Sequence, residues 1–144
     1  MKMKERTLVI IKPDAVKRNV IGNIISRLES RCGKIIALKM VKLRKEQAMK
    51  LYECHKRKRF YESLCEWMCS GPVVLMVLEG ENVIENTRRL IGDTNPEKAK
   101  IETIRAQYGI STRKNAVHAS ADKLEAEAEI ALFFSKSELM EGER

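Results

Sequence analysis

The sequence predicts an α+β sandwich in which a small sheet has one face covered by helices. Three observations predict it. Four short apolar, β-rich stretches alternate with stretches of helical periodicity; some are separated by single crossovers and others by a helical hairpin; and no linker, repeat or low-complexity tract divides the 144 residues. That length suits one compact domain.

Thr7-Leu8-Val9-Ile10-Ile11 is the first, central strand. It ends at Lys12-Pro13 because the residue before a proline is kept out of the helical region. Val20, Ile21, Ile24, Ile25 and Leu28 recur at helical spacing, and Gly33 is placed to close that helix in the left-handed conformation. Lys34 to Lys42 alternates, with Ile36, Leu38 and Met40 on one side, and reads as a second strand before the helical LRKEQAMKLYE. Tyr61, Leu64, Cys65 and Met68 mark a short helix closed by Ser70-Gly71-Pro72. The run Val73 to Leu78 is too continuously apolar for an edge and reads as a buried strand. Val83, Ile84, Thr87, Leu90 and Ile91 form the next amphipathic helix, and Gly92-Asp93-Thr94-Asn95-Pro96 opens a surface loop expected to reach about residue 102. Asn115 to Ala119 is extended, and Leu124, Ala128, Ala131 and Leu132 are the apolar stripe of a last helix. The order is βαβ(αα)βαβα, from which the strand order does not follow.

Hydrophobic residues make up 44% of the chain in short runs, far below the roughly 20 consecutive apolar residues of a membrane span. The opening MKMKERTLVII meets charges at once and carries no small-residue cleavage site. A soluble, cytoplasmic protein with no membrane partner is expected. Cys32, Cys54, Cys65 and Cys69 make no C-x-x-C pair and read as free thiols. Cys65 and Cys69, with Cys54 and His55 upstream, are small packing residues before they are a metal site. The net charge of +8 attracts polyanions without choosing among nucleotides, nucleic acid and acidic lipid. Its densest run, His55-Lys56-Arg57-Lys58-Arg59, leads into Phe60-Tyr61 and makes a basic-aromatic edge available to nucleotide phosphate and base; most of these charges read as a solvated loop.

His118, one of two histidines, lies in N-A-V-H-A-S between an apolar strand and a helix start. A neutral imidazole there can attack phosphorus if its other nitrogen is held by an acceptor that fixes the tautomer, and Glu129 on the last helix can supply one. A lone histidine beside an apolar strand is ordinarily a hydrogen-bonded core residue, so the wider neighbourhood must decide.

That neighbourhood resembles the nucleoside diphosphate kinases over nearly the whole chain. ERTLVIIKPDAV, VIGNII, SGPVV with MVLEGENV, GDTNP, TIR and NAVHAS follow one another in family order and spacing. The resemblance implies a ferredoxin-like α/β sandwich, a four-stranded antiparallel sheet with helices covering it. It also implies ping-pong transfer of the γ-phosphate of a nucleoside triphosphate, typically ATP, to a nucleoside diphosphate, with Mg²⁺ and a phosphohistidine at His118. Such a transfer rests on positioning and charge neutralisation.

Lys12 matches the family lysine near the ribose 3′-oxygen and the transferred phosphate; Arg88 and Arg105 match guanidiniums that grip the β- and γ-phosphates. Each such charged hydrogen bond contributes about 1.5–3 kcal/mol. Thr94 matches a phosphate-contacting hydroxyl, Asn115 the ribose contact, and Phe60, Leu64 and Thr112 the slot in which the base stacks. Because stacking tolerates every base, broad specificity is implied. Tyr52 and Ser120 match residues supporting His118. Taken alone, Lys12 is a strand-end lysine, Arg88 a solvated arginine, Thr94 and Asn115 turn formers, Tyr52 a packing residue and Ser120 a helix N-cap.

The chain departs from the family at His118-Ala119-Ser120-Ala121-Asp122, where H-G-S-D is common, so an altered rate or local stability is expected rather than loss of activity. Arg59 stands where a proline usually precedes the stacking phenylalanine, which frees that loop from a fixed φ. Ile101-Glu102 replaces a frequent Pro-Gly, which bears on the loop contacts of the implied homo-oligomer and leaves tetramer and hexamer both open. A non-catalytic binding member of the family should lose cradle residues that are all present here. Nucleic-acid binding is secondary, since no recognised motif for it occurs.

Overall fold

The computed structural model describes residues 4–142. Strand β1 (Lys4–Ile11) runs into helix α1 (Pro13–Lys17), which starts on a proline whose missing N–H costs nothing in a first turn. Then come α2 (Ile21–Arg31), β2 (Lys34–Val41), α3 (Lys45–Leu51), a 3₁₀ turn at Glu53–His55, α4 (Tyr61–Met68), β3 (Val73–Glu81), α5 (Val83–Ile91), α6 (Ile104–Tyr108), β4 (Val117–Ala119), α7 (Lys123–Phe133) and a 3₁₀ turn at Lys136–Glu138. Among the described residues no helix is long and apolar enough to cross a membrane.

The sheet order is β2-β3-β1-β4, with every neighbouring pair antiparallel. The two strands read as buried occupy the centre. Helices cover both faces of the sheet, not one. Leu8, Ile10, Leu75 and Val77 meet α3, α4 and α7 on one face, while Val9, Ile11, Val74, Met76 and Leu78 meet α1, α2, α5 and α6 on the other. Continuous apolar runs in β1 and β3 are what a strand buried on both sides requires.

Three local expectations are corrected. Gly33 does not adopt a positive φ. A Cβ there would lie 2.6 Å from the Glu79 carbonyl oxygen, so the glycine lets β2 start against β3, and Cys32 caps α2. In β2 a bulge between Ile35 and Ala37 shifts the register, which turns Leu38 and Met40 onto the face of Met76 and Val74, where they are 51% and 57% exposed. In α7 the buried stripe is Ala126, Glu129, Ile130 and Phe133, and Leu124 is 78% exposed. The helix faces the core through a stripe that contains a carboxylate, so apolar periodicity misplaces it. Asp122, not Ser120, is its N-cap, accepting from the Glu125 N–H at 2.8 Å.

The loop after α5 is pinned from below. Gly92, at φ +92°, turns the chain so tightly that a Cβ would meet the Thr103 hydroxyl oxygen at 2.5 Å. Arg18 and Arg27 donate to the carbonyls of Tyr108 and Glu102. The loop ends in α6, which is too short to show periodicity in the sequence.

Candidate active site

Strand register decides where His118 points. It pairs with Ile10 of β1, and opposed residues share a face, so the imidazole lies on the side of α3, α4 and α7 while Val117 and Ala119 enter the opposite core. There His118 Nε2 lies 2.9 Å from Glu129 Oε1. The same oxygen accepts from the fully buried Ser120 hydroxyl at 2.7 Å, and Ser120 Oγ accepts from the Leu8 N–H at 3.3 Å. Glu129 therefore takes Nε2–H as a donor, and Nδ1 is the nitrogen with a lone pair to offer. The Tyr52 ring meets the imidazole edge-on, centroids 6.4 Å apart at 82°. Its buried hydroxyl has no partner, and burial followed by the Glu129 charge raises its pKa.

Lys12 follows β1 and is buried, its Nζ donating to Asn115 Oδ1 at 2.8 Å. Desolvation, then the Arg105 charge, lowers its pKa to about 7, opposed by Asp14. Asp14 accepts the Ala116 N–H at 3.1 Å, while the Lys12 N–H donates to the Ala116 carbonyl at 2.8 Å. Ala116 is held between them at φ +75°, a left-handed conformation that costs a non-glycine residue about 1–2 kcal/mol. Asn115 Nδ2 donates to the carbonyls of Thr94 and Thr112, 3.0 Å each. Its two donors are thus spent inside the protein, and only Oδ1 has a lone pair left for a ribose hydroxyl.

The arginines are held by backbone oxygens. Arg105 donates to Gly92 O at 3.0 Å and Val117 O at 2.9 Å, and its buried Nε has no partner. Burial and the neighbouring Arg88 lower its pKa to about 10, against the pull of Asp93. Arg88, on α5, donates to Ala119 O at 3.3 Å.

These side chains line one cleft of about 590 Å³. The residues singled out in the sequence all border it except Ser120, which lies behind Glu129. Phe60 and Leu64 stand on the α4 side, Thr112 and Arg113 on the loop before β4. Seven liners were not assigned to the site in advance, Arg113, His55, Cys54 and Glu125 among them. His55 packs 5.5 Å from the Phe60 ring, and its buried Nδ1 has no partner. Burial and Lys58 lower its pKa. Cys54 is an exposed thiol in the wall. Glu125 accepts the Ala121 N–H at 3.1 Å. The basic-aromatic run from His55 to Tyr61 points to a nucleotide edge, but its sequence does not say that His55 is the member that turns inward. Cys65 and Cys69 are packed in α4, and among the described residues no group of three or more His, Cys, Asp or Glu could hold a metal ion.

Over nearly its whole length the chain is similar to known proteins of one family. The family model described as nucleoside diphosphate kinase matches residues 5–139. The nucleoside diphosphate kinase of Methanocaldococcus jannaschii is 51% identical over 139 residues, covering 96% of this chain and 99% of that one. That of Saccharolobus solfataricus is 52% identical over 135 residues, covering 94% and 98%. The crystal structure of the Aquifex aeolicus nucleoside diphosphate kinase superposes with a TM-score of 0.92 at 42% identity over 95% of this chain and 99% of that one. A family member from Babesia bovis gives 0.93 at 38% identity over 97% and 95%. The sheet order is accordingly that of the ferredoxin-like fold these structures share. With family motif, fold and cleft in agreement, the chain belongs to the nucleoside diphosphate kinases, phosphotransferases that act on nucleotides.

Proposed function

We propose that the phosphoryl group passes through Nδ1 of His118. The observation that carries this reading is the 2.9 Å pairing of Nε2 with Glu129 Oε1, which leaves Nδ1 facing the cleft as the nucleophile. The Nδ1 lone pair attacks the γ-phosphorus of a nucleoside triphosphate, and the bond to the β–γ bridging oxygen breaks, its electron pair leaving with the diphosphate. Glu129 stabilises the positive charge the ring then carries. A terminal oxygen of a second diphosphate attacks the phosphohistidine, the N–P bond breaks, and its pair returns to Nδ1.

Lys12, Arg88 and Arg105 neutralise the phosphates, Thr94 contacts them, Asn115 Oδ1 accepts from the ribose, and Phe60, Leu64 and Thr112 hold the base. Tyr52 and Ser120 fix the histidine and its carboxylate. Mg²⁺ fits this site as a passenger on the nucleotide. The cleft offers four lysine and arginine cations and two carboxylates, of which Glu129 is occupied by His118 and Ser120. Bound there, the metal supplies charge neutralisation across the phosphate oxygens.

The chain acts as a single domain over residues 1–144, in the cytoplasm, on nucleoside di- and triphosphates, and as a homo-oligomer. The exposed Leu38 and Met40 on the edge strand β2 support self-association, with tetramer and hexamer as its two forms. The net charge of +8 supports only a secondary affinity for nucleic acid.

Incubation with ATP labelled at the γ-phosphate tests the intermediate. The expected product is folded protein carrying an acid-labile, alkali-stable label that an added diphosphate removes. No label on folded protein refutes the mechanism, and label on His118→Ala refutes the nucleophile.

A further inference from the structure

Arg113, which lines the cleft next to Thr112, reaches across to the helix that follows Phe60. Arg113 Nη2 donates to Ser63 Oγ at 2.7 Å, across 50 positions of sequence, and the Ser63 hydroxyl donates onward to the Phe60 carbonyl at 3.1 Å. The base of the arginine is equally fixed. Residues 110–114 close on themselves through Ile110 N–H to Lys114 O at 2.7 Å and Lys114 N–H to Ser111 Oγ at 3.0 Å. Asn115 ties the carbonyl of Thr112 to the floor of the cleft. A guanidinium that lines the cleft is therefore held at Ser63, one helical turn from Phe60, with one of its five N–H groups engaged by the protein.

We infer that Arg113 reads the edge of the nucleobase and makes the enzyme favour bases with an oxo group over bases with an amino group. This rests on the reading that Phe60, Leu64 and Thr112 hold the base. Phosphate, sugar and ring face are common to all nucleotides, so the contacts proposed to those three parts cannot discriminate among bases. A guanidinium can only donate. Guanine presents O6 and N7, and uracil and thymine present O4, as acceptors; adenine and cytosine present an amino donor at the equivalent position. Oxo bases gain a charge-assisted hydrogen bond, and amino bases set donor against donor. The comparison is made within each ring size, guanine against adenine and uracil against cytosine, so stacking area cancels.

Calorimetric titration of the protein with GDP, ADP, UDP and CDP tests this. For the wild type, Kd is expected to be about fivefold lower for GDP than ADP and for UDP than CDP, the lower end of base-edge discrimination because the arginine is half-exposed. Arg113→Gly brings both ratios to within about twofold at unchanged thermal stability, and Ser63→Ala, which frees the guanidinium, lowers both part of the way. Ratios unaffected by Arg113→Gly, or all four Kd values raised equally because the guanidinium stacks on the ring, overturn the inference. Phe60→Ala separates it from the reading beneath it. If Phe60→Ala weakens all four ligands while Arg113→Gly leaves the ratios intact, only the role of Arg113 fails. If Phe60→Ala changes none, the base lies elsewhere and both fail.

Discussion

Lys12 and Asn115, 103 residues apart in sequence, are joined by a buried 2.8 Å hydrogen bond that closes the floor of the cleft. The bond orients the ammonium but does not neutralise it, and burial with Arg105 nearby brings its pKa down to about 7. On the proposed reading, a nucleotide phosphate supplies counter-charge beyond that of Asp14.

From this follows a proton linked to binding. Above pH 7 the free protein holds Lys12 increasingly neutral, and bound phosphate favours the ammonium. At pH 8 nucleotide binding should take up on the order of half a proton or more, read by calorimetry in buffers of different ionisation enthalpy. Lys12→Met should bind without that uptake. The same shift has a stability counterpart of opposite sense to an ion pair. Unfolding restores the ordinary value of 10.5, so between about pH 7 and 10.5 the unfolded chain holds more protons at this site. The Lys12 contribution therefore rises with pH across that window, and the Tm of Lys12→Met relative to wild type should fall accordingly.

Glu129 separates charge from geometry. Because His118 and Ser120 both bond to Oε1, Glu129→Gln can keep that oxygen and both contacts while losing the charge. The expected result is a fall in kcat of about 10- to 100-fold with little change in Tm. Glu129→Ala also frees the ring and strands the buried Ser120 hydroxyl. Its kcat should fall about tenfold further, with a stability loss of about 1–3 kcal/mol in urea titration.

Gly92→Ala tests the turn that holds Arg105. A methyl group would strike the Thr103 side chain in a conformation an L-residue resists. About 1–3 kcal/mol of stability should be lost. The Gly92 carbonyl that anchors Arg105 moves with the turn, so KM for nucleotides should rise as well.

Cys54 offers a chemical probe. Cys32 and Cys65 are buried, whereas Cys54 lies exposed in the cleft wall. A maleimide should inactivate the enzyme, bound nucleotide should protect it, and Cys54→Ser should resist the reagent with its activity intact. Peptide mapping after partial labelling should find the adduct at Cys54.

Much of this architecture was legible in the sequence for a physical reason. β1 and β3 are buried on both faces and so carry unbroken apolar runs, and the residues around His118 recur as family motifs. What was hidden depends on distant parts of the chain. The need for glycine at position 33 comes from a carbonyl at Glu79. Leu38 and Met40 were assigned by alternation, which a single bulged residue reverses. The stripe of α7 was misplaced because Glu129, put inward to serve His118, breaks its apolar pattern. His55 was recognised as part of a basic run, but its place against Phe60 exists only once the turn before α4 has closed. At the departures beside the histidine, the Ala119 carbonyl receives Arg88, and the Ala121 N–H is met by Glu125.

The cations of the cleft floor donate to uncharged amide oxygens: Lys12 to Asn115, Arg88 to Ala119, Arg105 to Gly92 and Val117. Folding thus gathers positive charge that Asp14 and Asp93 only partly offset, and on the proposed reading the free enzyme carries a self-repulsion that its substrate removes. Nucleotide should then act as a structural ligand as well as a reactant, raising the melting temperature most at low ionic strength, where salt cannot take its place.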